Sequence, residues 1–276
     1  MKVSKKDVQA SFSNAAASYD QAAVVQNEIL ERLLERLEVL DHSLTPLLDL
    51  GSGTGLAARR LAVNTGWQEH IAVDISEKML AYARNKLGKY NCVCADAESL
   101  PFTENSFGTV VSASTLQWCN DVEQSFADVL RILKAGGLFL FSTFGPATLS
   151  EMKACFNRID ANPHVNTFID MHVLGDLLAA LGFHDIVMES EIITMEYPDP
   201  LHLLRDLQAT GATNHNVDRS RGLFGKQRLH QFMREYQEYQ SGNGRYPATY
   251  EVIYGHGFKR ELAKDPVQGW QPVKFF

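Results

Sequence analysis

The sequence predicts an α/β fold built on a mostly parallel sheet, and three observations lead there. Strand-like and helix-like apolar patterns alternate from residue 47 to residue 142, an order that winds parallel strands through right-handed crossovers. The first strand runs straight into a glycine turn and a helix: Leu47-Leu48-Asp49-Leu50-Gly51-Ser52-Gly53-Thr54-Gly55, then residues 56–62. Acids end the next two strands, at Asp74 and Asp96.

In chain order, residues 1–20 show no strong periodicity, although Phe12 and Tyr19 stand out in a segment rich in Ala, Ser and Asn. From Val25 the spacing of Ile29, Leu30, Leu33, Leu34, Leu37 and Leu40 predicts a helix laid on a core. The pattern is too short for a coiled coil. Leu47–Leu50 suits a buried strand. Residues 70–75 form the second strand, and Ser76 is the predicted N-cap of a helix over 77–87 that buries Met79, Leu80, Ala83 and Leu87. Further strands are predicted at 91–96, 109–113 and 138–142, with a helix over 122–134 stopped by Gly136-Gly137. Helices over 147–159 and 173–181 follow, the second ending at Gly182. Residues 185–197 and 248–255 both read as strands, yet roughly fifty residues separate them, far beyond a hairpin loop. Residues 201–240 are therefore an insertion, helical over 201–209 and 223–239.

The 276 residues are 45% hydrophobic and 21% charged, ordinary for a soluble globular protein. No apolar run has the length of a membrane span. The basic N-terminus lacks an apolar stretch behind it, which argues against a secretory signal and for a cytoplasmic protein. Cys92, Cys94, Cys119 and Cys155 do not have zinc-site spacing, so reduced thiols and no metal are expected. Net charge of −7 disfavours a nucleic-acid partner. It is uneven: residues 201–260 hold 9 Lys/Arg against 5 Asp/Glu, a net +4, leaving −11 elsewhere. A basic block on an acidic body suits an acidic partner; an ordinary solvated helix face is the alternative.

The glycine spacing narrows the ligand. A dinucleotide fingerprint needs G-x-G-x-x-G, which would place a glycine at 56, where the chain has Leu56. The pattern here is G-x-G-x-G, with Asp49 two residues before it. Ligands of open α/β sheets sit outside the carboxyl ends of the strands. The glycine turn, Asp74, Asp96 and the segment Ser114-Thr115-Leu116-Gln117-Trp118 all fall there. Asp74 is placed to accept from a ribose diol.

These segments, together with Val73-Asp74-Ile75-Ser76 and Asp96-Ala97-Glu98-Ser99-Leu100-Pro101-Phe102, resemble the class I S-adenosylmethionine-dependent methyltransferases. The resemblance implies a Rossmann-like sheet of seven strands, mostly parallel with an antiparallel last strand, and a helical lid inserted before that strand. It implies a single domain over 1–276, with cap helices in 1–45, core sheet in 46–197, lid in 198–247, and last strand and tail in 248–276. Gly51, Gly53 and Gly55 would line the methionine part of the cofactor with Asp49 nearby. Asp74 would hold the ribose and Asp96 with Ala97 the adenine, while Ile75, Met79 and Ser114 complete the expected set.

Four further segments carry a closer resemblance, over nearly the whole chain: residues 12–20, 115–119, 142–149 and 203–212. They are similar to the malonyl-acyl carrier protein O-methyltransferases of biotin synthesis. That family methylates the free carboxylate of a malonyl thioester, an early step toward the pimeloyl precursor, and releases S-adenosylhomocysteine. An ionised carboxylate needs no general base, so the expected substrate-side residues only position it: Tyr19, Gln117 and Arg205. Arg205 could equally pair with Asp206 or Asp199. Arg219, Arg221, Lys226, Arg228 and Arg234 would face an acidic acyl carrier protein, with malonyl-coenzyme A as the other thioester. Another small carboxylate or quinone substrate, or a non-catalytic cofactor-binding protein, are the alternative readings; Leu56 argues against a nicotinamide-binding one.

Overall fold

A computed structural model of the chain describes residues 2–40, 45–64, 70–160, 162–217 and 225–260. Three helices come first: α1 (Lys5–Ala15), α2 (Tyr19–Ala22) and α3 (Val24–Val39). The core then alternates β1 (Leu47–Leu50), α4 (Leu56–Asn64), β2 (His70–Asp74), α5 (Glu77–Leu87), β3 (Cys92–Cys94), β4 (Phe107–Ala113), α6 (Val122–Ile132) and β5 (Leu133–Phe144). It continues through α7 (Ser150–Asn157), α8 (Met171–Leu181), β6 (Phe183–Tyr197), α9 (Pro200–Ala209), α10 (Lys226–Tyr236) and β7 (Tyr246–Lys259).

The strands form one seven-stranded sheet in the order β3-β2-β1-β4-β5-β7-β6. β1 to β5 pair in parallel, and β7 runs antiparallel to both β5 and β6. The order reverses between β1 and β4, which opens a crevice at their carboxyl ends. Period-two alternation sorts the strands onto two faces. Leu47, Val111, Leu140 and Tyr254 pack with Ile29, Leu33 and Leu37 of α3 on one side. Leu48, Leu50, Val110, Phe139 and Phe141 pack with Phe126 and Val129 of α6 on the other. Such fully buried side chains contribute about 2–3 kcal/mol each.

Local sequence explains the helix ends. Ser76 Oγ accepts from Met79 N at the start of α5, and Gly182 takes φ 99° as the C-cap of α8. Two expectations change. The helix over 147–159 shortens to α7, because residues 146–149 form a turn and Leu149 N donates to Thr249 O. Gly136-Gly137 does not stop a helix; α6 ends at Ile132, and the glycines lie inside β5 where its register on β4 slips between Phe107 and Thr109. All four cysteines are free thiols, Cys155 buried and Cys94 exposed.

The N-terminal segment and the insertion brace one another across the carboxyl ends of the strands. Val3 bridges Asn216, Ser4 N donates to His215 O (2.9 Å), and Ser18 Oγ donates to Ala209 O (2.9 Å). No described helix is long and apolar enough to cross a membrane.

Candidate active site

The three glycines of the turn after β1 all have positive φ, between 53° and 78°, a conformation that disfavours any residue with a Cβ. Their surroundings differ. A Cβ at Gly51 would fall 1.9 Å from Thr115 Oγ1, and one at Gly55 would fall 2.7 Å from Leu87 of α5. At Gly53 it would meet nothing within 4 Å. Gly51 thus allows the loop to close on the β4 turn, Gly55 allows it to close on α5, and Gly53 presents bare backbone to open space.

That space opens into a cleft beside the glycine turn. Gly51, Gly53, Asp74, Ile75, Met79, Asp96, Ala97 and Ser114 line it, as does Tyr19. Two residues of the expected cofactor set do not. Gly55 packs under α5, and Asp49 lies beneath the loop at 2% exposure, on the same strand face as Leu47.

Each polar group in the cleft is held for a reason. Asp74 Oδ2 accepts from Gly53 N (2.8 Å) and Oδ1 from Ser76 N (2.7 Å), leaving lone pairs on both oxygens for a diol. Burial outweighs these two bonds and pushes its pKa up to about 6. Asp49 is pushed up to about 7, by burial first and the charge of Asp74 second. Asp96 Oδ1 accepts from Lys5 Nζ of α1 (2.8 Å) and from Glu98 N (3.1 Å). Ile75, Met79, Ala95 and Ala97 form the apolar walls between the two carboxylates. Ser114 adopts φ 51°, and its buried Oγ has no partner among the described residues; such strain gathers at functional sites. Bare backbone at Gly53, two partly free carboxylates at successive strand ends and an unpaired hydroxyl together fit an adenosyl ligand.

The roof comes from the N-terminal segment. Asp20 of α2 accepts from Thr54 Oγ1 of the glycine loop, from Arg59 Nη2 (3.0 Å) and from Lys86 Nζ (2.7 Å). This clamp sets Tyr19 over the cleft, with Phe12 6.4 Å from its ring and Trp118 a further 5.5 Å on. Burial, then the charges of Asp74 and Asp20, push the Tyr19 phenol well above its ordinary value, so it stays a neutral hydroxyl. Lys5 and the Asp20 clamp are missing from the residue set read from sequence. Lys5 has no local signal, since its partner lies 91 residues away. Asp20 lies in a segment that resembles the family but has no local pattern that marks it as a clamp.

The substrate-side residues fare less evenly. Gln117 is absent from this cleft; it lines a neighbouring cavity, donating to Ser114 O (2.7 Å) and accepting from Thr143 Oγ1 (3.3 Å). Arg205 is exposed on α9 and lines none of the three cavities around the site. Of the basic cluster, Lys226, Arg228 and Arg234 lie on α10, where Arg228 stands 3.6 Å from Asp160 and Arg234 3.7 Å from Glu235. Arg219 and Arg221 fall outside the described residues.

Comparison with known proteins agrees with this geometry. A family model described as a methyltransferase domain matches residues 48–141. The chain is 41% identical over 266 residues to the malonyl-(acyl-carrier protein) O-methyltransferase of Gallionella capsiferriformans, covering 93% of this chain and 91% of that one. It is 38% identical to the biotin biosynthesis bifunctional protein BioHC of Cellvibrio japonicus, covering 91% of this chain and 50% of that protein. Among solved structures, Haemonchus contortus phosphoethanolamine N-methyltransferase 2 bound to S-adenosyl-L-methionine aligns with a TM-score of 0.59 at 20% identity, over 90% of this chain and 57% of that one; it shares the fold. With about two-fifths identity over nine-tenths of its length, the chain belongs to the malonyl-(acyl-carrier protein) O-methyltransferase family.

Proposed function

We propose that this protein transfers the methyl group of S-adenosylmethionine to the free carboxylate of a malonyl thioester carried on an acyl carrier protein, in the cytoplasm, as an early step toward the pimeloyl precursor of biotin. The observation that carries this reading is the extent of the kinship. The relatives are about 40% identical across nine-tenths of the chain, well beyond residues 48–141 that the general methyltransferase domain model matches.

The residues present account for the chemistry. Bound S-adenosylmethionine supplies an electrophilic methyl on a sulfonium. A carboxylate oxygen would give its lone pair to that carbon, and the pair of the methyl–sulfur bond would stay on sulfur. No proton moves, so no side chain need act as a base; the protein aligns and desolvates the nucleophile. Asp74 would accept from the ribose hydroxyls. Asp96, braced by Lys5, would border the adenine. Gly53 lets the amino-acid end lie on backbone, and Tyr19 covers the reacting end without ionising.

The thioester's carrier would meet α10, where Lys226, Arg228 and Arg234 offer positive charge to an acidic partner. The direct test is transfer of labelled methyl from S-adenosylmethionine to malonyl thioester, with acetyl thioester as control. Label on malonyl alone is expected. Equal labelling of acetyl thioester, which has no free carboxylate, would defeat the reading.

A further inference from the structure

One face of α1 lies along the cofactor cleft: Lys5, Val8 and Phe12, spaced three and four residues apart, all line it. Polar contacts tie the helix and the residues before it to the rim. Gln9 Nε2 donates to Ile75 O (2.7 Å), and Ser13 Oγ bonds Ser76 Oγ (2.8 Å). Val3 exchanges two hydrogen bonds with the Asn120 side chain, at 2.7 and 3.1 Å. Among the described residues, Lys5 is the one cationic side chain that lines the cleft.

Its ammonium is shared by two carboxylates. Lys5 Nζ stands 2.8 Å from Asp96 Oδ1 and 2.6 Å from Glu98 Oε1. Glu98 N also donates to Asp96 Oδ1 (3.1 Å), and Asn120 N donates to Glu98 Oε1. Both donors to Asp96 thus take the same oxygen. Oδ2 has no partner among the described residues, although the side chain is 32% exposed and the residue lines the cleft. Burial pulls the Lys5 pKa down, but Cys119 and the two carboxylates outweigh it and raise it on balance, so the ammonium stays charged. That charge does two things. It offsets the repulsion between two carboxylates gathered on one nitrogen, which would otherwise turn one aside or protonate it. It also pins Oδ1, so the other oxygen is an ionised, acceptor-only atom in a fixed place.

We propose that Lys5 is a positioning residue for base selection: by holding Asp96 Oδ1 it leaves Oδ2 to accept from a ring amino group, so that the cleft takes an adenosyl ligand and rejects its 6-oxo, inosyl counterpart. This rests on the reading of the cleft as an S-adenosylmethionine site with the base beside Asp96. An exocyclic amine donates, whereas a 6-oxo group in the same place only accepts and meets an oxygen with no proton to give. A site built to pair a ligand N–H rejects the analogue that lacks it more strongly than a difference of shape would. Because Lys5 belongs to the cap and not to the sheet, the base-reading group is complete only with α1 in place.

The test measures, by calorimetry, the affinities of S-adenosylhomocysteine and S-inosylhomocysteine for the native full-length chain, Lys5→Met and Lys5→Arg. The native protein should prefer the adenosyl compound by about 100-fold, the scale of a hydrogen bond to a charged group. Lys5→Met keeps a long stem on α1 but no charge; adenosyl affinity should fall and the preference should narrow about tenfold. Lys5→Arg retains the charge and should recover most of the preference. A role confined to holding the cap down predicts that both affinities fall together. An unchanged ratio in Lys5→Met, whatever the absolute affinities, would therefore overturn the proposal, as would a ratio lost equally in Lys5→Arg. Native protein that binds both compounds equally would instead sink the placing of the base against Asp96, and native protein that binds neither would sink the cofactor reading itself.

Discussion

Replacing Asp49 by Asn separates the cost of a buried charge from the loss of a side chain. Asp49 sits in β1 at 2% exposure, and its Oδ2 has no hydrogen-bond partner among the described residues. Burial first, then the charge of Asp74, raise its pKa from 3.8 to about 7. A carboxyl with a raised folded value holds its proton more tightly in the native state. Its stabilisation is fully present below the unfolded pKa and is lost as pH rises through the folded one. With these two values, this one group withdraws about 2–3 kcal/mol of stability between about pH 5 and about pH 8. An amide at this position cannot ionise, so Asp49→Asn removes that slope whatever constant cost the substitution adds. Urea melts of ligand-free native and Asp49→Asn protein at the two pH values provide the assay. The variant should gain about 2–3 kcal/mol relative to the native protein on going to the higher pH. Parallel pH responses would refute the claim that Asp49 is a buried, unsatisfied carboxyl.

Three other predictions concern the cleft and its surroundings. Gly51→Ala should destabilise the ligand-free fold more than Gly53→Ala does, because only at Gly51 does the new Cβ meet Thr115 Oγ1, at 1.9 Å; calorimetry should show Gly53→Ala losing mainly S-adenosylhomocysteine affinity. Protonated Asp74 offers a diol fewer acceptor sites, so S-adenosylhomocysteine affinity should fall as pH drops through its raised value of about 6, and isothermal titration across that range should leave the Asp74→Asn variant flat. Reversing Lys226 and Arg228 to Glu should raise KM for carrier-bound malonyl thioester at low salt by about tenfold and leave malonyl-pantetheine unaffected, since surface charge acts mainly on encounter.

Elements built from contacts close in sequence are legible in the residue pattern alone. The strand, glycine turn and helix over 47–62 involve neighbours; Asp74 ends β2, and Asp96 falls two residues past β3 rather than at the end of a strand over 91–96. The closure of the site is not legible in this way. Lys5 meets Asp96 and Asp20 meets Lys86 only because the cap folds back over the sheet, at separations of 91 and 66 residues. The three glycines look alike in sequence, yet only the packing tells that Gly55 lies against α5 while Gly53 faces open space. The outward position of Arg205, by contrast, follows from helical spacing. Leu203, Leu204 and Leu207 mark the inner face of α9, and at 3.6 residues per turn position 205 falls nearly opposite.

The chemical identity of the methylated group bears most directly on the whole account. Malonyl-acyl carrier protein incubated with the enzyme and S-adenosylmethionine should gain the mass of one methyl group, fragment to place it on the distal carboxyl, and lose it as methanol in mild base. A product whose added methyl resists base, or no added mass while S-adenosylhomocysteine still binds, would contradict carboxyl methylation.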